Sequence, residues 1–357
     1  MALISFTVAM AISPLLIHIL YKKKIVRKTD ADFSHIVGER FQKAGTPIMG
    51  GLLIIIATTL VTVVFNLKGS TYIPIIIMLL SSALGGIDDL LNVFGRKHVL
   101  RTVKKQIKLA QVHKNPLRRL FYWVTLPWTV YKNIWYSLGS NPGTGLQAGE
   151  RILVQIAAGC MVAWWIYYRL GWNSIWIPWI GDFQLGAFMP VFIVITVVSM
   201  TNAVNISDGM DGLASGMLIP AFTAFMFIAI VNDDPTFAAL DATVVGALLA
   251  YLYFNIKPAR IEMGDVGSMA LGALLATVAL AQKHIILLPV IGFTFVTIIG
   301  SSLIQGIYRR IFNRRLLKMA PLHLHFQLLG WSEEKIVMRF WLFAVIFAFI
   351  GVWMSFF

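Results

Sequence analysis

The chain has 357 residues, 58% of them hydrophobic and 13% charged, where a soluble domain carries about a quarter charged residues; with a mean hydropathy of +0.77, an ordinary soluble fold is excluded and lipid is the expected solvent. The formal net charge of +14 would suit nucleic acid, but the basic residues are gathered in loops between apolar stretches, which reads as membrane orientation and attraction to anionic lipid, with no nucleic-acid partner. The single Cys160 excludes an internal disulfide framework.

Ten stretches are long and apolar enough, or nearly so, to cross a bilayer, which takes roughly 17–25 residues per helix. They are 1–21, 44–67, 69–87, 152–168, 183–207, 212–232, 235–256, 266–282, 284–308 and 340–357. The first lies before its basic cluster, Lys22, Lys23 and Lys24, the reverse of a secretory signal, and is expected to remain as a span. Asp241 makes the seventh the weakest. None alternates as a barrel strand would. The predicted fold class is therefore an all-α polytopic membrane protein with ten transmembrane helices, forming one domain over 1–357. The aromatic-rich run 120–131 is too short to cross and is expected at the interface.

Ten spans alternate sides. With 22–43, 88–151, 202–212, 257–265 and 309–339 on one side, that side holds 27 of the 30 Lys and Arg; the other keeps Lys68, Arg169 and Lys283. The positive-inside rule makes the basic side cytoplasmic and both termini periplasmic or otherwise extracytoplasmic. Twelve of the 16 Asp and Glu fall on the same side, several at helix ends. Carboxylates at the edge of hydrocarbon are costly unless paired, hydrated or metal-bound. Glu333 and Glu334 fit the bland reading of water-facing loop acids, as do Asp30 and Asp32 less well. Asp88, Asp89, Asp208, Asp211 and Asp265 do not, because their loops are otherwise built from Gly, Asn and Ser.

In chain order, the first cytoplasmic loop ends Lys43-Ala44-Gly45-Thr46-Pro47-Ile48-Met49-Gly50-Gly51, which taken alone is turn punctuation before a helix. Asp88 and Asp89 end the third span; adjacent acids repel, and each is easier to keep ionised near Mg²⁺ or a Lys. Next comes a basic insert over 92–148, in which Leu100, Val103, Ile107 and Ala110 line one helical face beside Arg101, Lys104, Lys105 and Lys108. That pattern predicts an interfacial helix over 96–119 lying on anionic lipid. The segment 202–212 packs Asn202, Asn205, Asp208 and Asp211 around Gly209 and Gly212. It suits a nucleoside or ribose, against the alternative of a helix connection with Asp208 as N-cap. Asp265, in Met263-Gly264-Asp265-Val266-Gly267-Ser268, is placed to hold Mg²⁺ at a helix N-terminus or simply to cap that helix. His323 and His325, two apart behind a basic run, cannot share one helix face but could reach one site from a turn.

These segments, in this order and on one membrane face, resemble the phospho-N-acetylmuramoyl-pentapeptide transferases. These belong to the polyprenyl-phosphate N-acetylhexosamine-1-phosphate transferases. The Asp pair, the Asn-Ile-Ser-Asp-Gly-Met-Asp-Gly run (205–212) and Met-Gly-Asp-Val-Gly-Ser mark the superfamily. The 43–51 and Ala-Pro-Leu-His-Leu-His (320–325) segments, with Gly330-Trp331-Ser332-Glu333-Glu334-Lys335, mark the muramoyl branch. The resemblance implies UDP-N-acetylmuramoyl-pentapeptide as donor, undecaprenyl phosphate as acceptor, lipid I and UMP as products, Mg²⁺ as cofactor, a bacterial inner-membrane setting and a homodimer.

Residue by residue, the resemblance implies Asp265 as metal ligand and Asp88, Asp89, Asp208 and His323 as catalytic. It implies Lys43, Asn205, Gly209, Met210, Asp211, Asn255, Gln305 and His325 as substrate-binding. Leu324 stands where the family's His triplet has its middle member, Glu262 replaces an aromatic residue, and Arg151 replaces a Lys. The 92–148 insert is longer and more basic than the resemblance implies. Two rival readings remain: a superfamily member using a UDP-sugar without peptide, which the first-loop and His segments oppose, and an ion-coupled transporter. A transporter would carry its acids near the midplane.

Overall fold

The computed structural model describes residues 1–27, 45–95, 101–137 and 144–357. The chain divides into two compact units, one made of Met1–Asp89 with Gln155–Phe357 and a second made of Leu90–Val154.

The larger unit is helical because its apolar runs have no water to satisfy backbone N–H and C=O groups, and only an internal ladder can do so. Its helices are α1 (Ala2–Lys22), α2 (Gly51–Phe65) and α3 (Tyr72–Phe94), the last running on into the second unit. In the second unit lie α4 (Val103–Val112), α5 (Pro116–Val124) and α6 (Leu126–Ser137), and α7 (Ala148–Ala163) leads back out of it, continuing as a π-helical turn to Arg169. A short antiparallel hairpin follows, β1 (Ser174–Ile177) and β2 (Gly181–Gln184). Then come α8 (Met189–Ser207), α9 (Leu213–Val231), α10 (Pro235–Asn255), α11 (Gly264–Ala281), α12 (Leu288–Ile291), α13 (Phe293–Phe312), α14 (Leu322–Leu328) and α15 (Glu333–Met354).

Among the described residues, eight helices are long and apolar enough to cross a membrane, and a ninth candidate is the pair Ile285–Ile291 and Phe293–Phe312, bent by 80°. The bend falls at Gly292, with Pro289 opening α12. Four boundaries differ from the sequence reading. The third span does not end at 87: α3 carries Asp88 and Asp89 within the helix and runs on to Phe94. Residues 44–50 are not part of a long second helix: from Gly45 they run as non-helical chain, with Pro47 bridging Val26, so α2 keeps only 15 residues. The stretch 183–207 opens with β2 and a 3₁₀ turn, because Gly181 and Gly186 both take positive φ. The last helix starts well before 340, where the Ser332 side chain caps it by accepting from the Lys335 N–H.

The core is centred on α11, whose residues Val266–Ala281 are all buried. It packs against α8, α2 and α9. Association within lipid relies on close packing of small residues, and the sequence supplies them: a Cβ on Gly272 would come within 2.7 Å of the Met200 carbonyl, and the Gly51 and Gly267 backbones meet directly.

In the smaller unit the helix foreseen over 96–119 is not continuous. Residues 96–100 lie outside the described residues, and α4 ends at Val112; Asn115 then caps α5, whose first residue is Pro116. The two helices pack on each other, with Gln106 Nε2 donating to Thr125 Oγ1 (2.8 Å) and to the Tyr122 carbonyl (3.1 Å). Much of the apolar α4 face is used here: Ala110 is buried against α5, while Val103 and Ile107 are half-buried.

Candidate active site

The ends of α3, α8, α9, α10, α11 and α15 carry most of the polar residues that the sequence singled out, and the hydrogen bonds between them form the site. It begins at the N-terminus of α11. The first N–H groups of a helix have no partner within the helix. Here Asp89, in the last two turns of α3, accepts from the Asp265 N–H (3.1 Å) and the Val266 N–H (3.0 Å), one through each carboxylate oxygen. So Asp265 is not the cap of its own helix; Asp89 caps it from another. The approach requires Gly264, whose φ is +72° and whose added Cβ would sit 2.6 Å from Asp89 Oδ2.

With its backbone tied to Asp89, Asp265 presents a half-buried side chain in the first turn of α11. Asn205, near the end of α8, donates through Nδ2 to Asp265 Oδ1 (2.8 Å) and to Ser268 Oγ (3.0 Å). Asp88 is fully buried beside Asp89, and the charges of Asp88 and Asp265 both act on Asp89 through space. Three carboxylates at one helix end repel one another, and a hard cation relieves that repulsion. Among the described residues no group of three or more His, Cys, Asp or Glu forms a ready metal cage. Mg²⁺ seldom needs one: it keeps several waters and takes one or two carboxylates together with substrate phosphates. The oxygen donors at Asp265 and its neighbours fit that habit.

The 205–212 segment is the second part. Asp208 closes α8 as its C-cap rather than capping α9, and its side chain is half-buried. Gly209 faces the Nε2 edge of the His323 ring, where an added Cβ would be 2.8 Å from Nε2. Met210 is buried. The Asp211 N–H donates to Glu333 Oε1 (2.9 Å), and Asp211 Oδ2 accepts from the Ala259 N–H (3.1 Å). Asn255, at the end of α10, accepts from the Gly212 N–H (3.0 Å) and from Ser215 Oγ (3.1 Å), while its Nδ2 donates to the Ile261 carbonyl (2.9 Å). The Trp341 indole N–H closes the segment on the Gly212 carbonyl at 3.0 Å.

Glu333 corrects the sequence reading. It is not a water-facing acid: it is 2% exposed, bonded to the Asp211 backbone and paired with Lys257 at 3.3 Å. Glu334 does face water and shares Lys257 at 3.0 Å. The sequence signal for Glu333 was the Ser332 N-cap, which fixes the helix start and so aims its first residue back at the loop. Glu262 is likewise structural, paired with Arg27 at 2.7 Å. That pair, with the Gly50 N–H on the Glu262 carbonyl (2.8 Å), joins the first loop to the chain before α11.

Two predicted residues serve a neighbouring loop. Gln305 accepts from the Leu316 and Leu317 N–H groups (3.0 and 2.9 Å), and His325 Nδ1 accepts from the Lys318 N–H (3.2 Å). His323 and His325 therefore diverge: the segment is helix α14, not an open turn, so residues two apart point to different sides. Leu324 between them is buried in the core. Lys43 lies outside the described residues.

Comparison with known proteins identifies relatives of the whole chain. The family model described as Glycosyl transferase family 4 matches residues 143–283. The chain is 32% identical to the phospho-N-acetylmuramoyl-pentapeptide-transferase of Caldanaerobacter subterraneus subsp. tengcongensis, over 98% of this chain and 96% of that protein. It is 33% identical to the Chloroflexus aggregans protein of the same name, covering 99% and 88%, and 32% identical to that of Levilactobacillus brevis, covering 87% and 85%. With that much of its length shared, the chain belongs to the phospho-N-acetylmuramoyl-pentapeptide-transferase family.

Proposed function

We propose that this chain transfers phospho-N-acetylmuramoyl-pentapeptide from its UDP-linked donor to undecaprenyl phosphate, releasing UMP and forming lipid I for peptidoglycan synthesis. The observation that carries the reading is the linked set Asp89–α11–Asp265–Asn205, with Asp211, six residues on from Asn205, bonded through its N–H to Glu333.

In the reaction an oxygen of the acceptor phosphate attacks the donor phosphorus that bears the sugar. The bond from that phosphorus to the bridging oxygen breaks, and the electron pair leaves with UMP. Both partners are anionic, so the main obstacle is holding like charges in line. Asp265 would hold Mg²⁺, steadied by Asn205, and the cation would offset pyrophosphate charge and that of the leaving UMP. Asp88 is the candidate base toward the acceptor, and Asp89 holds Asp265 and α11 in register. Asn205, Gly209, Met210, Asp211 and Asn255 would shape the nucleoside end. Asp208 and His323 flank Gly209 at the reacting end, and Lys43, Gln305 and His325 would meet donor or acceptor phosphate.

The spans number ten if the bent pair counts as one and the 15-residue α2 crosses as well. Both termini then face away from the cytoplasm, consistent with 27 of 30 basic residues on the other side. The setting is the inner membrane of a bacterium, with anionic lipid as a further partner and a second copy of the chain as the expected assembly. A transporter is disfavoured because the site acids Asp89, Asp208, Asp211 and Asp265 lie towards helix ends, whereas Asp241, buried inside α10, is bonded to Gln282 instead.

The test is Asp265→Asn in purified, lipid-reconstituted protein. Transfer should fall at least about 10²-fold, the scale seen when a preorganised charge contact is lost, while the melting temperature stays within about 2 °C. Chelation of divalent metal should abolish wild-type transfer, and added Mg²⁺ should restore it. Near-normal turnover of the variant would remove Asp265 from the metal site.

A further inference from the structure

Among the described residues, the second unit holds an uncovered surface with a definite chemistry. In α5, Leu117, Leu120, Phe121 and Val124 repeat at i, i+3, i+4 and i+7, and they are 76%, 61%, 58% and 69% exposed. None of the nine residues of α5 is buried. The opposite face is occupied: Tyr122 meets His113 and the Arg101 guanidinium, and Arg119 Nε donates to the Ala110 carbonyl at 3.3 Å. The apolar stripe is therefore an outward surface and not the missing half of the helix pair.

Two further features say what covers it. The first is charge. Lys104, Lys105 and Lys108 are exposed on α4, and Lys114 and Arg118 are exposed at or beside the start of α5, while the only acid in Leu90–Val154 is Glu150, paired with Lys132 at 2.7 Å. The second is the aromatic content: Trp123, Trp128, Trp135, Tyr122, Tyr131 and Tyr136 crowd α5 and α6, residue types that concentrate where hydrocarbon meets headgroups. An apolar stripe beside dense positive charge and amphipathic rings is the composition of a helix lying in a membrane interface. A protein-binding groove would instead be expected to deplete Lys. The chain also tethers the unit to the bilayer at both ends, since α3 and α7 are themselves candidate spans.

We infer that α4–α6 form a platform that docks on anionic lipid of the bilayer crossed by α3 and α7, with the Leu117–Leu120–Phe121–Val124 face of α5 immersed and the basic residues of α4 and α5 on the headgroups. The inference adds a lipid-docking surface to the transferase reading and rests on it only for the side of the membrane. It replaces the α4-centred face expected from sequence, because α4 spends much of its apolar side on α5.

The test uses the full chain. With Cys160→Ser as background, since Cys160 is the sole cysteine, nitroxides are attached at Leu120→Cys and, as an exposed α4 reference, Gln111→Cys. Both are reconstituted in nanodiscs of phosphatidylglycerol or of phosphatidylcholine. Spin relaxation by oxygen, which partitions into lipid, is compared with that by a water-soluble nickel chelate. In phosphatidylglycerol the Leu120 label should favour oxygen and the Gln111 label the nickel chelate. Immersion at Leu120 should fall in phosphatidylcholine, and also in 1 M salt, where the screening length shrinks from about 10 Å to about 3 Å. Nickel access at Leu120 in both lipids would overturn the proposal. Low access to both agents would also overturn it, pointing to a protein partner or a second copy. Equal immersion in both lipids would overturn the role given to the basic residues. Immersion is read without turnover, so failure of the transferase assay and failure of docking are separate results.

Discussion

At the residue scale, the acidic residues divide into those that tie the backbone of the site together and those whose side chains stay half-exposed in it. Asp89 is a builder: it satisfies two N–H groups at the head of a buried helix, and each such group left bare costs roughly 1–3 kcal/mol. Loss of activity on mutating Asp89 therefore says little about chemistry, whereas Asp265, half-buried and not needed as a cap, is the informative position. Glu333 is the second builder. Glu333→Ala would remove an acceptor from the Asp211 N–H and one of the carboxylates beside half-shielded Lys257, where Glu334 stays. Breaking a buried pair from one side costs about 3–5 kcal/mol, and the remaining Glu334 contact puts this case at the lower end, about 3 kcal/mol. The apparent melting temperature should drop by about 5 °C or more. Glu333→Gln keeps an acceptor for the amide and should lose less than half as much. Equal losses in the two variants would assign the effect to charge alone. Thermal denaturation in detergent measures both.

At the scale of elements, hydropathy made most helices legible, because an apolar run in lipid has one way to satisfy its backbone. Boundaries were harder to read. The β1–β2 hairpin and the shortened α2 depend on glycines at positive φ and on chain pairing between distant loops, such as Val26 with Pro47, and neither alters a hydropathy window. The acidic clusters were legible as chemistry, yet the division of roles between Asp89 and Asp265 was not, since capping of one helix by another is a tertiary fact. Glu333 was misread for a similar reason: a carboxylate beside a span looks solvated until the 205–212 loop folds over it. The packing of α8 on α11 yields a prediction at this scale. Gly272→Val places branched carbon against the Met200 carbonyl and the Thr201 backbone. Overpacking of this kind costs typically about 1–3 kcal/mol, so the variant should melt several degrees lower and Gly272→Ala should fall between it and wild type. A Val variant as stable as wild type would mean that α8 and α11 are less closely apposed than described here.

At the scale of the whole molecule, one polar cluster built from the ends of six helices is embedded at the edge of an otherwise apolar unit, while a second, basic unit is inserted between α3 and α7. This organisation serves a reaction whose donor comes from water and whose acceptor is held in lipid. On the proposed reading the polar ends would bring the two phosphates together, and the spans would keep the acceptor's apolar chain in its own solvent. The family relation makes the peptide-bearing muramoyl sugar the expected donor. The decisive measurement is a transfer assay with purified protein in lipid, undecaprenyl phosphate as acceptor, and radiolabelled UDP-N-acetylmuramoyl-pentapeptide or UDP-N-acetylglucosamine supplied separately at equal concentration. The expected result is a lipid-soluble labelled product, with stoichiometric UMP, from the muramoyl donor, and at least about a hundredfold less from the other; comparable transfer from UDP-N-acetylglucosamine, or label passing to lipid without UMP, would contradict it.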